Sequence, residues 1–309
     1  MKHQIILSII SFTGTSLLAQ DPHFTQFYLS PLTMNPAAAG SIALNGTLEG
    51  RATAQYRNQW PGLPGNYKTF NLCWDQAFNA VHGGVGLQYA QDEVSSGLIR
   101  SNSVSAAYSY AAKIRKKMTF RMGIQAGIVS RNLQLDKLQL NDQLDPFYPF
   151  DPSKPNLPDN TDTRYINIGT GAMLQGEQFY LGIALFNLNE PNWSFYKNTT
   201  ESYPRRLMLH GGYTFNHNDK LYITPQWQFM NQRTFTEAQL GTHIQIEKLS
   251  AGLWYKRSYG SFHSLKDAVA ASIGYQWKRF FTSYSYDYTI PEGRSAIPSS
   301  HEITLQYCW

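Results

Sequence analysis

The chain has 309 residues, 15% of them charged and 14% aromatic, with 20 Tyr, 17 Phe and 7 Trp and a formal net charge of +5 at pH 7. After the first twenty residues no stretch approaches the roughly 20 consecutive apolar residues a membrane helix needs. The mild basic excess sits in short clusters such as Lys113-Ile-Arg-Lys-Lys117, with no nucleic-acid-binding module. Mean hydropathy is −0.39, a value that also fits a transmembrane barrel, whose apolar surface is hidden in residue-by-residue alternation.

Residues 1–19 read as a secretory signal peptide. Lys2 precedes an apolar core, Ile5 to Ile10, and Leu17-Leu-Ala19 ends in a small residue, so cleavage is expected after Ala19. The alternative, a membrane anchor, would need a longer core. Residues 20–45 follow as a separate segment. Pro22, Pro31 and Pro36 forbid a regular strand, yet Phe24, Phe27, Tyr28, Leu29, Leu32 and Met34 call for burial. The expectation is an N-terminal plug or periplasmic lid packed into a barrel mouth; the alternative is a short helix outside it.

Residues 46–309 alternate polar and apolar side chains over about fourteen stretches: 46–58, 67–78, 84–91, 102–111, 118–130, 164–175, 178–187, 206–215, 221–230, 236–247, 249–257, 268–277, 280–289 and 301–309. An even number suits an all-β fold, a transmembrane antiparallel β-barrel of about 14 strands. In the first stretch Leu48, Ala52, Ala54 and Tyr56 share one face, and Glu49, Arg51, Thr53, Gln55 and Arg57 the other. In the fifth, Phe120, Met122, Ile124, Ala126 and Ile128 oppose Thr119, Arg121 and Gln125. Charge belongs in the lumen, because a midplane Arg facing lipid costs about 2–4 kcal/mol. The expected lining is Glu49, Arg51, Arg57, Asp75, Arg121, Glu237, Lys256, Asp287 and Glu302, as an ion-pair network or as contacts for a pore or plug. Gly84, Gly86, Gly169 and Gly171 fall in strand patterns, where glycine relieves crowding or bends the wall. Short connections alternate with long ones, such as 131–163 and 188–205, as periplasmic turns and outer loops would.

No nucleophile elbow, zinc-protease helix, P-loop or Cys-x-x-Cys is present, so the reading is non-enzymatic, with no cofactor and no metal site. The Asp-rich stretch 142–162 lacks the spacing of a calcium loop. It and the next long loop carry clustered aromatics, Phe147, Tyr148 and Phe150, then Trp193, Phe195 and Tyr196, which are candidates for contact with a protein partner; the alternative is that neighbouring loops cover them. The last stretch alternates Glu302, Thr304, Gln306 and Cys308 with Ile303, Leu305, Tyr307 and Trp309, and ends on an aromatic. A strand that closes a barrel would end this way. Cys73 and Cys308 would sit two strand spacings apart, about 9–10 Å, too far to bridge.

Several motifs in series resemble the PorP/SprF family: Asp21-Pro-His-Phe-Thr-Gln-Phe27, Asn35-Pro-Ala-Ala-Ala-Gly40 and Tyr56-Arg-Asn-Gln-Trp-Pro-Gly62 near the start, and Tyr284-Ser-Tyr-Asp-Tyr288 and Ser300-His-Glu-Ile-Thr-Leu305 near the end. Residues 131–163 carry no matching motif. The resemblance marks Asn35, Pro36, Arg57, Asn58, Gln59, Trp60, Asp287 and Trp309 as structural motif residues. It implies an outer-membrane protein of the type IX secretion and gliding-motility apparatus. Its expected partners are outer-membrane lipid, other type IX secretion proteins and a large secreted adhesin or its C-terminal sorting domain, with no nucleic acid. The role implied is docking or anchoring that client and linking to the periplasmic apparatus. The alternative is an outer-membrane transporter or porin for a small solute.

Overall fold

A computed structural model describes residues 23–42, 49–61, 63, 66–137, 160–196, 199–218, 220–260, 265–290 and 299–309. The signal-peptide reading of residues 1–19, the aromatics Phe147, Tyr148 and Phe150, and Leu48 lie outside them.

The strands are β1 (Gly50–Gln59), β2 (Tyr67–Phe78), β3 (Gly83–Val94), β4 (Ile99–Arg115), β5 (Met118–Leu133), β6 (Asp162–Gly176), β7 (Phe179–Phe186), β8 (Arg206–Tyr213), β9 (Phe215–His217), β10 (Leu221–Gln232), β11 (Phe235–Ile246), β12 (Leu249–Tyr259), β13 (Leu265–Trp277), β14 (Phe280–Ile290) and β15 (Ser300–Cys308). Every pairing is antiparallel, and β8 and β9 both pair with β10, so they are two pieces of one wall position broken at Thr214. Fourteen positions therefore close a ring, because β15 pairs with β1 and β10 with β11. The ring leaves no open edge to satisfy, the condition for a sheet in lipid. The alternation located the strands well. Its shortfalls are at strand ends: β4 and β5 extend past the expected bounds at the outer end, where Ser101, Asn132 and similar polar residues do not alternate with apolar ones, and β4 also runs on to Arg115 at the periplasmic end.

The two faces have the expected parity. Ile124, Ile273 and Leu305 are 62%, 63% and 56% exposed and point to lipid, whereas Gln55 and Glu302 are 1% exposed and point inward. Short turns at 116–117, 177–178, 247–248 and 278–279 share one end with Trp309, which is the periplasmic end of such a barrel. At that end Trp277, Phe280, Tyr307 and Trp309 form a contiguous outward aromatic row, with ring centroids of neighbours 4.7–6.3 Å apart. This is the amphipathic belt of a membrane interface.

The seam between first and last strands is finished by the terminal residue. Glu49 N donates to Trp309 O at 2.8 Å, and Trp309 N donates to Gly50 O at 3.1 Å. The indole lies over Gly50, where a Cβ would come within 2.5 Å of the ring. A larger side chain at Gly50 would push the terminal ring off the wall. Cys73 and Cys308 are both free thiols, on strands separated by β1.

Residues 23–42 run inside the ring. They contain short turns of helix, Phe27–Leu29, Pro31–Met34 and Pro36–Ala38, each too short to be stable alone. Phe24, Thr25, Gln26, Phe27, Leu32, Asn35 and Ala37 are all buried. The path begins at the outer end, where His23 stacks on Phe235 (6.3 Å) and lies 3.1 Å from Glu237. It descends to the periplasmic end, where Gly40 N donates to Asp75 at 2.7 Å and Ser41 O accepts from Gln175 at 3.1 Å.

Candidate functional site: the lumen and its inner segment

The outer half of the lumen is organised by charge. Arg57 on β1 reaches Asp287 on β14 at 2.9 Å and Glu302 on β15 at 3.2 Å, and Lys256 on β12 reaches Asp287 at 2.8 Å. These four side chains are nearly solvent-free, so each charge must be met by another charge or by a strong hydrogen bond. Thr25 completes the set. Its hydroxyl donates to the Asp287 carboxylate (2.7–2.8 Å) and accepts from Arg57 Nη1 at 2.7 Å and Lys256 Nζ at 2.5 Å. The Glu302 carboxylate takes two successive main-chain donors, Thr25 N at 2.8 Å and Gln26 N at 3.0 Å. Wall glutamines take the matching carbonyls: Gln239 donates to Thr25 O at 2.8 Å and Gln55 to Gln26 O at 3.3 Å. The side chain of Gln26 meets the Ser283 hydroxyl.

The periplasmic half is organised by close approach. Asn35 Oδ1 accepts from Ala37 N at 2.9 Å and so caps the Pro36–Ala38 turn. Its Nδ2 lies 3.0 Å from Ala172 O, 3.2 Å from Ile183 O and 3.1 Å from His210 Nε2. The wall opposite is glycine. A Cβ at Gly123 would fall 2.2 Å from Ala37 N, and one at Gly171 2.0 Å from Asn35 Oδ1. Gly40 has φ +65°, a conformation open to glycine. Arg121 donates to the carbonyls of Ala37 (3.0 Å) and Ala39 (2.5 Å), and Arg51 pairs with Asp75 at 2.7 Å.

Between the halves sits an apolar socket. Phe27 and Met34 pack with Ala184, Phe186, Met208, Met230 and Trp254. The lumen is therefore not lined by polar side chains alone, and inward Trp254 shares the parity of Lys256. That parity was legible in the sequence, although what Trp254 packs against was not. Beside the outer half a cavity of about 140 Å³ remains, bounded by Phe24, Leu32 and Thr33 of the segment and by Gln88, Ser103 and Gln125 of the wall.

The expected lining residues fall into these two groups. Arg57, Glu237, Lys256, Asp287 and Glu302 gather above, and Arg51, Asp75 and Arg121 below. Glu49 departs from the expectation: its side chain is exposed at the periplasmic rim, because its backbone is taken by Trp309 just before β1 begins. Among the motif residues, Gln59 lies 3.5 Å from Arg57 Nε, Asn58 pairs in register with His301, and Trp60 turns the chain at φ 55° with its ring edge-on to Tyr67. The loop aromatics separate. Trp193, read as a partner contact, is buried instead: Arg131 lies 4.2 Å above its ring and donates to its carbonyl at 3.0 Å, and Tyr203 packs beside it at 5.1 Å. An exposed indole is costly, and the end of β5 supplies a cation to cover it. Phe195 is half-buried with its ring 5.0 Å from the same guanidinium, and Tyr196 stays exposed. Thr25 and Gln26 went unassigned in the sequence beyond their motif. Their signal was a hydroxyl and a carboxamide set between Phe24 and Phe27 in a segment built for burial.

A family model described as "Type IX secretion system membrane protein PorP/SprF" matches residues 16–307. The chain belongs to the PorP/SprF family. As a PorP/SprF protein it is an outer-membrane component of type IX secretion, and the barrel, the belt and the closing strand are the parts that place it in that membrane. Among curated proteins none matches the sequence. Among solved structures the barrel is similar to "CymD monoaromatic hydrocarbon channel", at 11% identity and TM-score 0.58 over 91% of this chain and 93% of that one. It is also similar to "TodX deltaS2S3 mutant monoaromatic hydrocarbon channel", at 13% identity and TM-score 0.51 over 90% and 93%. At these identities the likeness is one of fold. No helix among the described residues is long and apolar enough to cross a membrane. No group of His, Cys, Asp or Glu among the described residues has the arrangement of a metal site.

Proposed function

We propose that this PorP/SprF barrel docks a secreted or surface adhesin at its outer face and links it to the periplasmic apparatus, with residues 20–45 as the plug that keeps the lumen shut. The observation that carries this reading is the path of residues 23–42, which spend their hydrogen bonds on the wall from one rim to the other. A lumen so occupied leaves the outer loops as the surface for recognition. Phe195 and Tyr196, next to the Arg131–Trp193 clamp, and Phe147, Tyr148 and Phe150 on the preceding loop are the residues assigned to the client.

Shortening residues 145–159 tests it. The barrel should stay folded and heat-modifiable, surface display or release of one client should be lost, and small-solute uptake should not change. Small-solute transport is the second reading, favoured by the cavity of about 140 Å³ beside the plug. An engineered cavity of about 150 Å³ holds one benzene ring. Altered uptake with an unchanged set of secreted proteins in the loop-shortened strain would select transport and discard docking.

A further inference from the structure

Residues 24–27 occupy their place in the lumen as a ligand occupies a receptor. The wall reads their main chain through Glu302, Gln239 and Gln55, groups that accept or donate to any residue's amide. Side-chain identity is read at three points. The Thr25 position faces a carboxylate and two cations at once, and only a hydroxyl both donates to Asp287 and accepts from Arg57 and Lys256. The Gln26 position meets Ser283. The Phe27 position is the apolar socket around Met230 and Trp254.

The tethered segment does not satisfy this receptor fully. Gln26 Nε2 and, on the same inward row of β14, Ser285 Oγ are buried with no hydrogen-bond partner among the described residues. A buried polar group left unmade is costly, so the resident segment is held less tightly than a fully bonded one would be, which lowers the cost of exchanging it. The end to be exchanged is the outer one. The segment starts at the outer rim by Phe235, and the cavity beside Phe24 gives displaced side chains somewhere to go. Its periplasmic half, interlocked with Gly123 and Gly171, stays in place.

We propose that the cradle of Glu302, Asp287, Arg57 and Lys256 is an exchangeable peptide site. It takes, in trans and from the outer side, a polypeptide segment of the order hydroxyl, carboxamide, aromatic, displacing residues 23–30 of the same chain. This rests on the docking reading above and gives the client its recognition chemistry.

The test uses the full chain in detergent and a fluorescein-labelled peptide of the sequence His23–Ser30, read by anisotropy. Thr25→Val in the barrel weakens the resident segment and leaves the wall intact. It should therefore bind the native peptide about tenfold or more tightly than the unaltered barrel does, the worth of hydrogen bonds to charged partners. A peptide carrying the same Thr-to-Val change should bind the Thr25→Val barrel about tenfold less well than the native peptide. If the Thr25→Val barrel is not heat-modifiable, Gln26→Ala in the full chain is read in its place with the same two peptides. Equal binding of the two peptides, or no binding to a folded variant, overturns the proposal. The docking reading is judged separately, by whether a secreted protein co-purifies with the unaltered barrel. Co-purification without peptide discrimination would remove the peptide site and leave docking standing.

Discussion

One segment of twenty described residues is held at its two ends by opposite means. Its outer end is held by charge: Thr25 and Gln26 sit among Arg57, Lys256, Asp287 and Glu302, and each contact is a polar bond that another polar group can replace. Its periplasmic end is held by shape: Asn35 to Gly40 lie against wall glycines at distances no side chain could share. Charge networks tolerate exchange of a partner of like chemistry and react badly to loss of one member. A close steric fit has no room for added bulk, whatever the chemistry of the group that brings it. The segment thus has a root held by shape toward the periplasm and a tip held by charge toward the outside.

The largest effect is expected from adding bulk at the root. Gly123→Leu puts a side chain where Ala37 N already lies, 2.2 Å from the would-be Cβ. The barrel should either fail to assemble or expel the segment. Unboiled gel mobility detects the first outcome and new sensitivity of residues 23–42 to protease the second; a normally folded, protected segment would break the distinction. Deleting Trp309 removes the main-chain bonds to Glu49 and Gly50 that finish the seam at this same end. Folded barrel in outer-membrane fractions should fall severely, and unchanged levels there would refute the role given to the terminal residue.

Removing one charge at the tip should cost less. Arg57→Ala leaves Asp287 with Lys256 and the Thr25 hydroxyl and Glu302 with main-chain donors alone, a loss of about 3–5 kcal/mol for breaking a buried pair. Adding Glu302→Gln to Arg57→Ala should restore part of that, since the excess buried charge disappears. Urea midpoints of the two variants, followed by gel mobility, decide the sign. Asn35→Ala removes a cap and contacts to two wall carbonyls at the root, for about 1–3 kcal/mol. It should not expel the segment, because the glycine fit remains. Smallest of all, Tyr196→Ala should shift stability by no more than about 0.5 kcal/mol. Any strong effect it has should appear in client retention, and a large drop in the urea midpoint would show that this ring serves the fold.

The legibility of the molecule divides along similar lines. Periodicity of two marked the wall, since a pleated strand with lipid on one side and a packed interior on the other leaves each residue only two directions. That alone put Ile124 and Leu305 outside and Gln55 and Glu302 inside. It also identified Arg57 and Asp287 as inward residues, but not as partners. They are 230 positions apart in the chain, and their meeting depends on ring closure. What covers Trp193 was not legible, because aromatic clustering in a loop reads alike whether a partner or Arg131 covers it.

By itself, then, the sequence determined the strands, their facing, the closing aromatic and the need to bury residues 20–45. Tertiary structure alone decided where residues 23–42 run and what holds them. A proline-interrupted chain has no period from which a direction can be read. The wall glycines acquire their meaning only when Ala37 and Asn35 arrive against them. Thr25 acquires its own only when strands from both ends of the chain bring three charges to one hydroxyl.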